Sequence, residues 1–191
     1  MSDTQGWWRE ADGSSVTRHE AEQEWAAAAH VILRRVATSY HGLIRYGELG
    51  AQVQEATGVR TRVQFHHWIG SVLGLVLTEC RRLGEPPFTA LVVRKDNGMV
   101  GEGYDEVMRL AGLPPATTPE ERENAAADAR FECYVYAGAK LPKDGGRPAL
   151  APRLGERFAR ERRARKKERI PPICPQCFMA LPASLVCDGC G

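Results

Sequence analysis

The 191-residue chain, with 43% hydrophobic and 26% charged side chains, is long enough to bury one sizeable core. Its longest apolar stretch, 68–77, is too short to span a bilayer, and the N-terminus around Trp7 and Trp8 has no basic region followed by an apolar one, so neither a membrane span nor a secretory signal is expected. The net charge of +2 hides an asymmetry: 153–169 holds nine Arg or Lys against three Glu, while 1–152 holds 17 basic and 20 acidic residues. A cytoplasmic protein with a mildly acidic body and a strongly basic connector is the expectation, and zinc-type cysteines fit a reducing compartment.

Residues 1–16 are expected to be flexible. Thr17-Arg-His-Glu20 has the form of a capping box, and Trp25, Ala28, Ile32, Val36 and Tyr40 recur at helical spacing, which predicts a helix over 17–40. A shorter helix follows from Tyr46, with Leu49, Val53 and Ala56 on one side and Gly58 as its stop. Thr61-Arg-Val-Gln64 reads as a second capping box opening a long helix to Leu83, with a wide apolar face that includes Trp68, Val72, Val76 and Cys80. After Pro86-Pro87, the run Phe88-Thr-Ala-Leu-Val-Val93 and the turn signal Asp96-Asn97-Gly98 predict a strand entering a hairpin or wing. Short helical character returns over 104–111, and Thr118-Pro119-Glu-Glu121 is a third capping box for a helix running to about Ala137. Glu120, Glu121, Glu123 and Asp128 on that helix read as an acidic helix start rather than a catalytic cluster, having no matching His or Lys motif.

The fold class is therefore mainly α with a small β wing (α+β). A winged-helix-like domain, 17–138, is followed by a linker, 139–172, which contains the basic segment 153–169, and by a zinc ribbon, 173–191. In that ribbon Cys174, Cys177, Cys187 and Cys190 form two C-x-x-C pairs separated by nine residues, the donor set of one closed, structural Zn²⁺ site. Two disulfides or a redox C-x-x-C are the alternatives. Cys80 and Cys133 fall on apolar helix faces and read as small core residues. His19, His30 and His41 have no partner at ligand spacing, and His66 and His67, adjacent on a helix, should point apart.

Three blocks in order, Tyr46-Gly-Glu-Leu49, Ile69-Gly-Ser-Val-Leu-Gly74 and Val92-Val-Arg-Lys-Asp-Asn-Gly98, with Val100-Gly-Glu-Gly-Tyr104 after them, resemble the winged-helix DNA-binding domain of the alkylguanine-DNA alkyltransferases and alkyltransferase-like proteins. The resemblance covers about 44–104 and implies a helix pair whose second member enters the minor groove. It also implies no alkyl transfer, because the family's Pro-Cys-His-Arg motif is replaced by Phe88-Thr89-Ala90-Leu91, and the arginine that fills the place of a flipped base falls at His67.

These features together predict a non-enzymatic, zinc-containing DNA-binding protein. Tyr46 belongs to the family block, Arg60, Arg62, Gln64 and His67 would lie at the start of the third helix, and Arg94 and Lys95 on the wing. Arg157, Arg160, Arg163, Lys166 and Lys167 would track phosphates from the basic segment. The alternative is an adaptor whose ribbon docks on a larger nucleic-acid-processing complex through Phe178, Met179, Leu181 and Leu185.

Overall fold

The computed structural model describes residues 6–151, 154, 156, 157, 160, 163, 164, 173–181, 187, 189 and 190. It divides into two compact units, Met1–Pro152 and Arg153–Gly191. The first is mainly helical with two small two-stranded sheets, and no helix among the described residues is long and apolar enough to cross a membrane.

Local signals set most helix ends. Helix α1, Arg18–Ala37, starts on the capping box: the Glu20 N–H donates to Thr17 Oγ1 (3.2 Å) and the Thr17 N–H to Glu20 Oε2 (2.9 Å). Helix α2, Tyr46–Thr57, stops at Gly58, whose φ of 66° is the left-handed conformation that glycine adopts without steric cost.

The N-terminal segment departs from the expected flexibility. Trp7–Arg9 forms strand β1, antiparallel to β3, Val59–Thr61, and Arg9 holds Glu24 of α1 through two hydrogen bonds (2.6 and 3.1 Å). Residues 1–5 lie outside the described residues. This pairing also displaces the predicted start of the third helix. Thr61 Oγ1 donates to the Gly6 carbonyl and accepts from the Val63 N–H, so the hydroxyl serves a strand end instead of a helix cap. A 3-10 turn, Phe65–His67, intervenes, and α3 runs only from Ile69 to Leu83.

The core is centred on Trp25 of α1 and Trp68, whose rings lie 4.4 Å apart, and both are buried. Each indole N–H finds a carbonyl, Trp25 at Val59 (3.1 Å) and Trp68 at Val63 (3.2 Å). Cys80 and Cys133 are fully buried in the same cluster, as their apolar faces predict.

The expected strand over 88–93 is also shorter than its branched residues suggest. Phe88–Leu91 is a buried 3-10 turn, leaving β4 as Val92–Val93, parallel to β2, Ile44–Arg45. Residues 94–99 then close on themselves: the Arg94 N–H donates to the Met99 carbonyl (2.8 Å) and the Gly98 N–H to the Arg94 carbonyl (3.0 Å). Among the described residues no second wing strand pairs with β4. Helices α4, Tyr104–Leu110, and α5, Pro119–Tyr136, complete the unit, α5 being capped by Thr118 with Pro119 at its first position.

Glu123, expected in a solvated acidic helix start, is completely buried. It lies two turns before Arg130 on α5, which places both side chains on one face, and they form a bidentate pair (2.5 and 3.0 Å). Glu123 also accepts the N–H groups of Val100 (3.1 Å) and Ala151 (2.9 Å), and Arg130 Nε donates to the Ala90 carbonyl (2.8 Å). Removing one partner leaves a buried charge uncompensated, so Arg130→Met is expected to cost about 3–5 kcal/mol in urea unfolding. Replacing both by apolar residues, often harmless for buried pairs, should remain destabilising here, because three backbone groups lose their partners.

Candidate nucleic-acid interface and four-cysteine centre

Helices α2 and α3, the 94–96 segment and the start of α4 enclose a cleft of about 860 Å³. Tyr46, the first residue of α2, contributes a half-buried ring whose hydroxyl accepts the Gly101 N–H (3.2 Å), and burial pushes its phenol up from the ordinary value. A Cβ on Gly101 would lie 2.8 Å from Tyr46 Oη and 3.8 Å from Arg94 Nε, so glycine is required for this approach. Arg94 and Lys95 are exposed on the cleft, and their side chains meet no hydrogen-bonding or ion-pair partner among the described residues.

The other predicted nucleic-acid contacts are dispersed. Arg60, on β3, is neutralised by Glu10 (2.6 Å) and Glu55 (2.9 Å), and Arg62 lies over the Trp8 ring (5.5 Å). Gln64 and His67 are exposed, but on the loop and 3-10 turn before α3 rather than on its first helical turn. His66 and His67 do not diverge as on an α-helix; within the 3-10 turn their rings stand 4.1 Å apart. In the second unit Arg157, Arg160 and Arg163 are exposed helical residues, while Lys166 and Lys167 lie outside the described residues.

Thr89 is buried and lines the cleft, and Ala90, which follows it, is buried as well. Neither a thiol nor an adjacent base is present to activate a nucleophile there. The other buried thiols are unsuited to that role: burial pushes Cys80 up to about 11 and Cys133 further in the same direction. Cys80 nevertheless belongs to a cluster that spacing along the sequence did not expose. Its sulfur, His30 and Glu85 offer donor atoms within 4.8 Å of one another. Glu85 is already engaged by His30 (2.5 Å), Arg34 (3.2 Å) and Tyr136 (3.3 Å), which makes the cluster a satisfied ionic network joining α1 to the end of α3.

The four tail cysteines converge. All are free thiols whose sulfurs lie within 4.8 Å of one another, with Cys174 and Cys190 at 3.9 Å and Cys177 and Cys187 at 3.4 Å. A tetrahedral ion with metal–sulfur bonds of about 2.3 Å requires sulfur–sulfur edges of about 3.8 Å, so these residues fit a bound metal ion. The first pair sits on a tight knuckle: the Cys174 N–H donates to the Met179 carbonyl, the Phe178 N–H to the Cys174 carbonyl, and Phe178 takes a φ of 58°. Backbone N–H groups of Cys177 and Gln176 pull Cys174 down to about 6, favouring the thiolate that a metal takes.

Comparison with protein-family models, curated proteins and solved structures finds no match to this chain. The four-cysteine centre is tested by cobalt titration: one Co²⁺ per chain should give thiolate charge-transfer and tetrahedral d–d bands, lost in Cys177→Ser/Cys187→Ser. Bands that survive this substitution would assign the metal elsewhere.

Proposed function

We propose that the chain is a non-enzymatic DNA-binding protein with one structural Zn²⁺ in its tail. The observation that carries the reading is the pair of exposed cations, Arg94 and Lys95, which have no ion-pair partner among the described residues and lie beside the first turn of α2 in a body that neutralises many of its arginines. The basic segment 153–169, with Arg157, Arg160 and Arg163 exposed, supports it, since such a run gains affinity by releasing counterions from phosphates. Four thiolates in a tetrahedron suit zinc, which closes its coordination shell and leaves the ribbon a structural role. The resemblance over 44–104 supports a winged-helix-like use of α2 and α3, with Thr89 and Ala90 in place of the reactive residues. Phosphate contact is assigned to Tyr46, Arg94, Lys95 and the basic segment ahead of Arg60, whose charge is already compensated.

A second reading is favoured by the knuckle itself. Ile173, Phe178 and Met179 are 58%, 78% and 64% exposed, an apolar surface suited to docking on a protein partner. In that case the tail recruits the protein to a larger nucleic-acid-processing complex.

Anisotropy titration of a labelled duplex across about 50–200 mM salt separates the two. The DNA reading predicts binding at low salt and, for Arg94→Ala/Lys95→Ala, a logarithmic salt slope shallower by about 2. No binding at low salt, together with recovery of the native chain in a complex that Phe178→Ser/Met179→Ser disrupts, would favour the adaptor.

A further inference from the structure

The cleft has features that contact with a phosphate backbone does not use. Its volume of about 860 Å³ falls in the range of sites for small organic molecules, and Phe65, Ile69, Leu73 and Leu77 supply an apolar wall. Gly70 and Gly74, one turn apart on α3, also line it, and a Cβ at either would meet nothing within 4 Å. That stretch of wall is consequently flat and open enough for a planar ring to approach the helix backbone.

Polar groups in the cleft are left incomplete. Thr89, only 7% exposed, has a buried Oγ1 with no hydrogen-bond partner. Such a group is destabilising unless something else satisfies it. Tyr46 Oη accepts from Gly101, yet its own proton has no acceptor among the described residues. Of the carboxylates lining the cleft, Glu48 and Glu106 are each held by an arginine, Arg45 and Arg109, and Asp96 is the third; Arg94 and Lys95 have no ion-pair partner among the described residues, which leaves the cations in excess.

We propose that the cleft binds a small planar aromatic anion, with its ring against the Gly70–Gly74 face of α3, its acidic group on Arg94 and Lys95, and a polar ring substituent satisfying Thr89 Oγ1 once the Thr89 side chain turns its buried hydroxyl toward the cleft. This inference does not require nucleic acid. It assigns the cleft to a free ligand that would compete with phosphates for the two cations, giving a DNA-binding surface a means of control.

The test uses the full chain and hydroxynaphthoate, followed by calorimetry and amide chemical shifts without DNA. Saturable 1:1 binding is expected, with shifts at Gly70, Gly74 and Gly101. Gly74→Ala, which meets nothing in the protein and favours helix, should keep or raise the melting temperature yet weaken binding about tenfold. Thr89→Val should leave folding intact and weaken binding severalfold, because it removes only the unpaired hydroxyl. Naphthol and cyclohexanecarboxylate, lacking the charge and the planar ring respectively, should bind at least about tenfold more weakly. Absence of saturation below about 1 mM, or equal affinity across these variants and probes, would overturn the proposal. Because Gly74→Ala and Thr89→Val leave both cations in place, failure here is distinguishable from failure of the DNA reading.

Discussion

The buried Glu123–Arg130 pair is the constraint on which the cleft side of the body depends. One carboxylate and one guanidinium, both removed from water, together hold the carbonyl of Ala90 and the amides of Val100 and Ala151. Ala90 follows Thr89 and Val100 precedes Gly101, so the pair fixes the two segments that bring the orphan hydroxyl and the close Tyr46 contact to the cleft. A buried ion pair is weak evidence for net stability, since desolvation opposes its attraction. What the pair supplies here is a partner for three backbone groups in segments with little regular structure of their own.

The opposite wall is held by different physics. The Trp25 and Trp68 rings meet at a tilt of 38° at the centre of the apolar core, and a Cβ on Gly50 would lie 3.3 Å from the Trp68 ring, so α2 packs closely on the residue from which α3 departs. Nondirectional burial thus sets the helix pair, while directional hydrogen bonds set the loop facing it. Around this frame, Arg9, Arg60, Arg82, Arg109 and Arg122 are each matched by a carboxylate. Arg94 and Lys95 have no such match among the described residues, and their place on the cleft links structure to the proposed anion binding.

What was legible in the sequence was local. Thr17 and Glu20, Gly58, Gly84, and Thr118 with Pro119 mark helix ends through interactions spanning four residues or fewer. The tail cysteines were legible because a metal site imposes short spacings that few other arrangements need. The misjudged elements depend on distant partners. Thr61 looks like a helix cap until β1 pairs with β3 and Gly6 takes its hydroxyl. Phe88 to Val93 looks like one strand, but only Val92 and Val93 find a neighbour, at Ile44 and Arg45. Glu123 looks like any acidic residue in a first turn; its burial follows from Arg130 and two amides brought from positions 100 and 151. The unpaired hydroxyl of Thr89 has no signature in the sequence, because it depends on which distant segments enclose it.

If the buried pair organises the cleft, the Val100 and Ala151 amides should be among the slowly exchanging groups although neither belongs to a helix or sheet. Native-state hydrogen exchange followed by NMR measures this directly. The account predicts protection of both amides close to that of the α1 core and its collapse at both positions in Glu123→Gln. Exchange at the rate of exposed loop amides in the unaltered protein would contradict it.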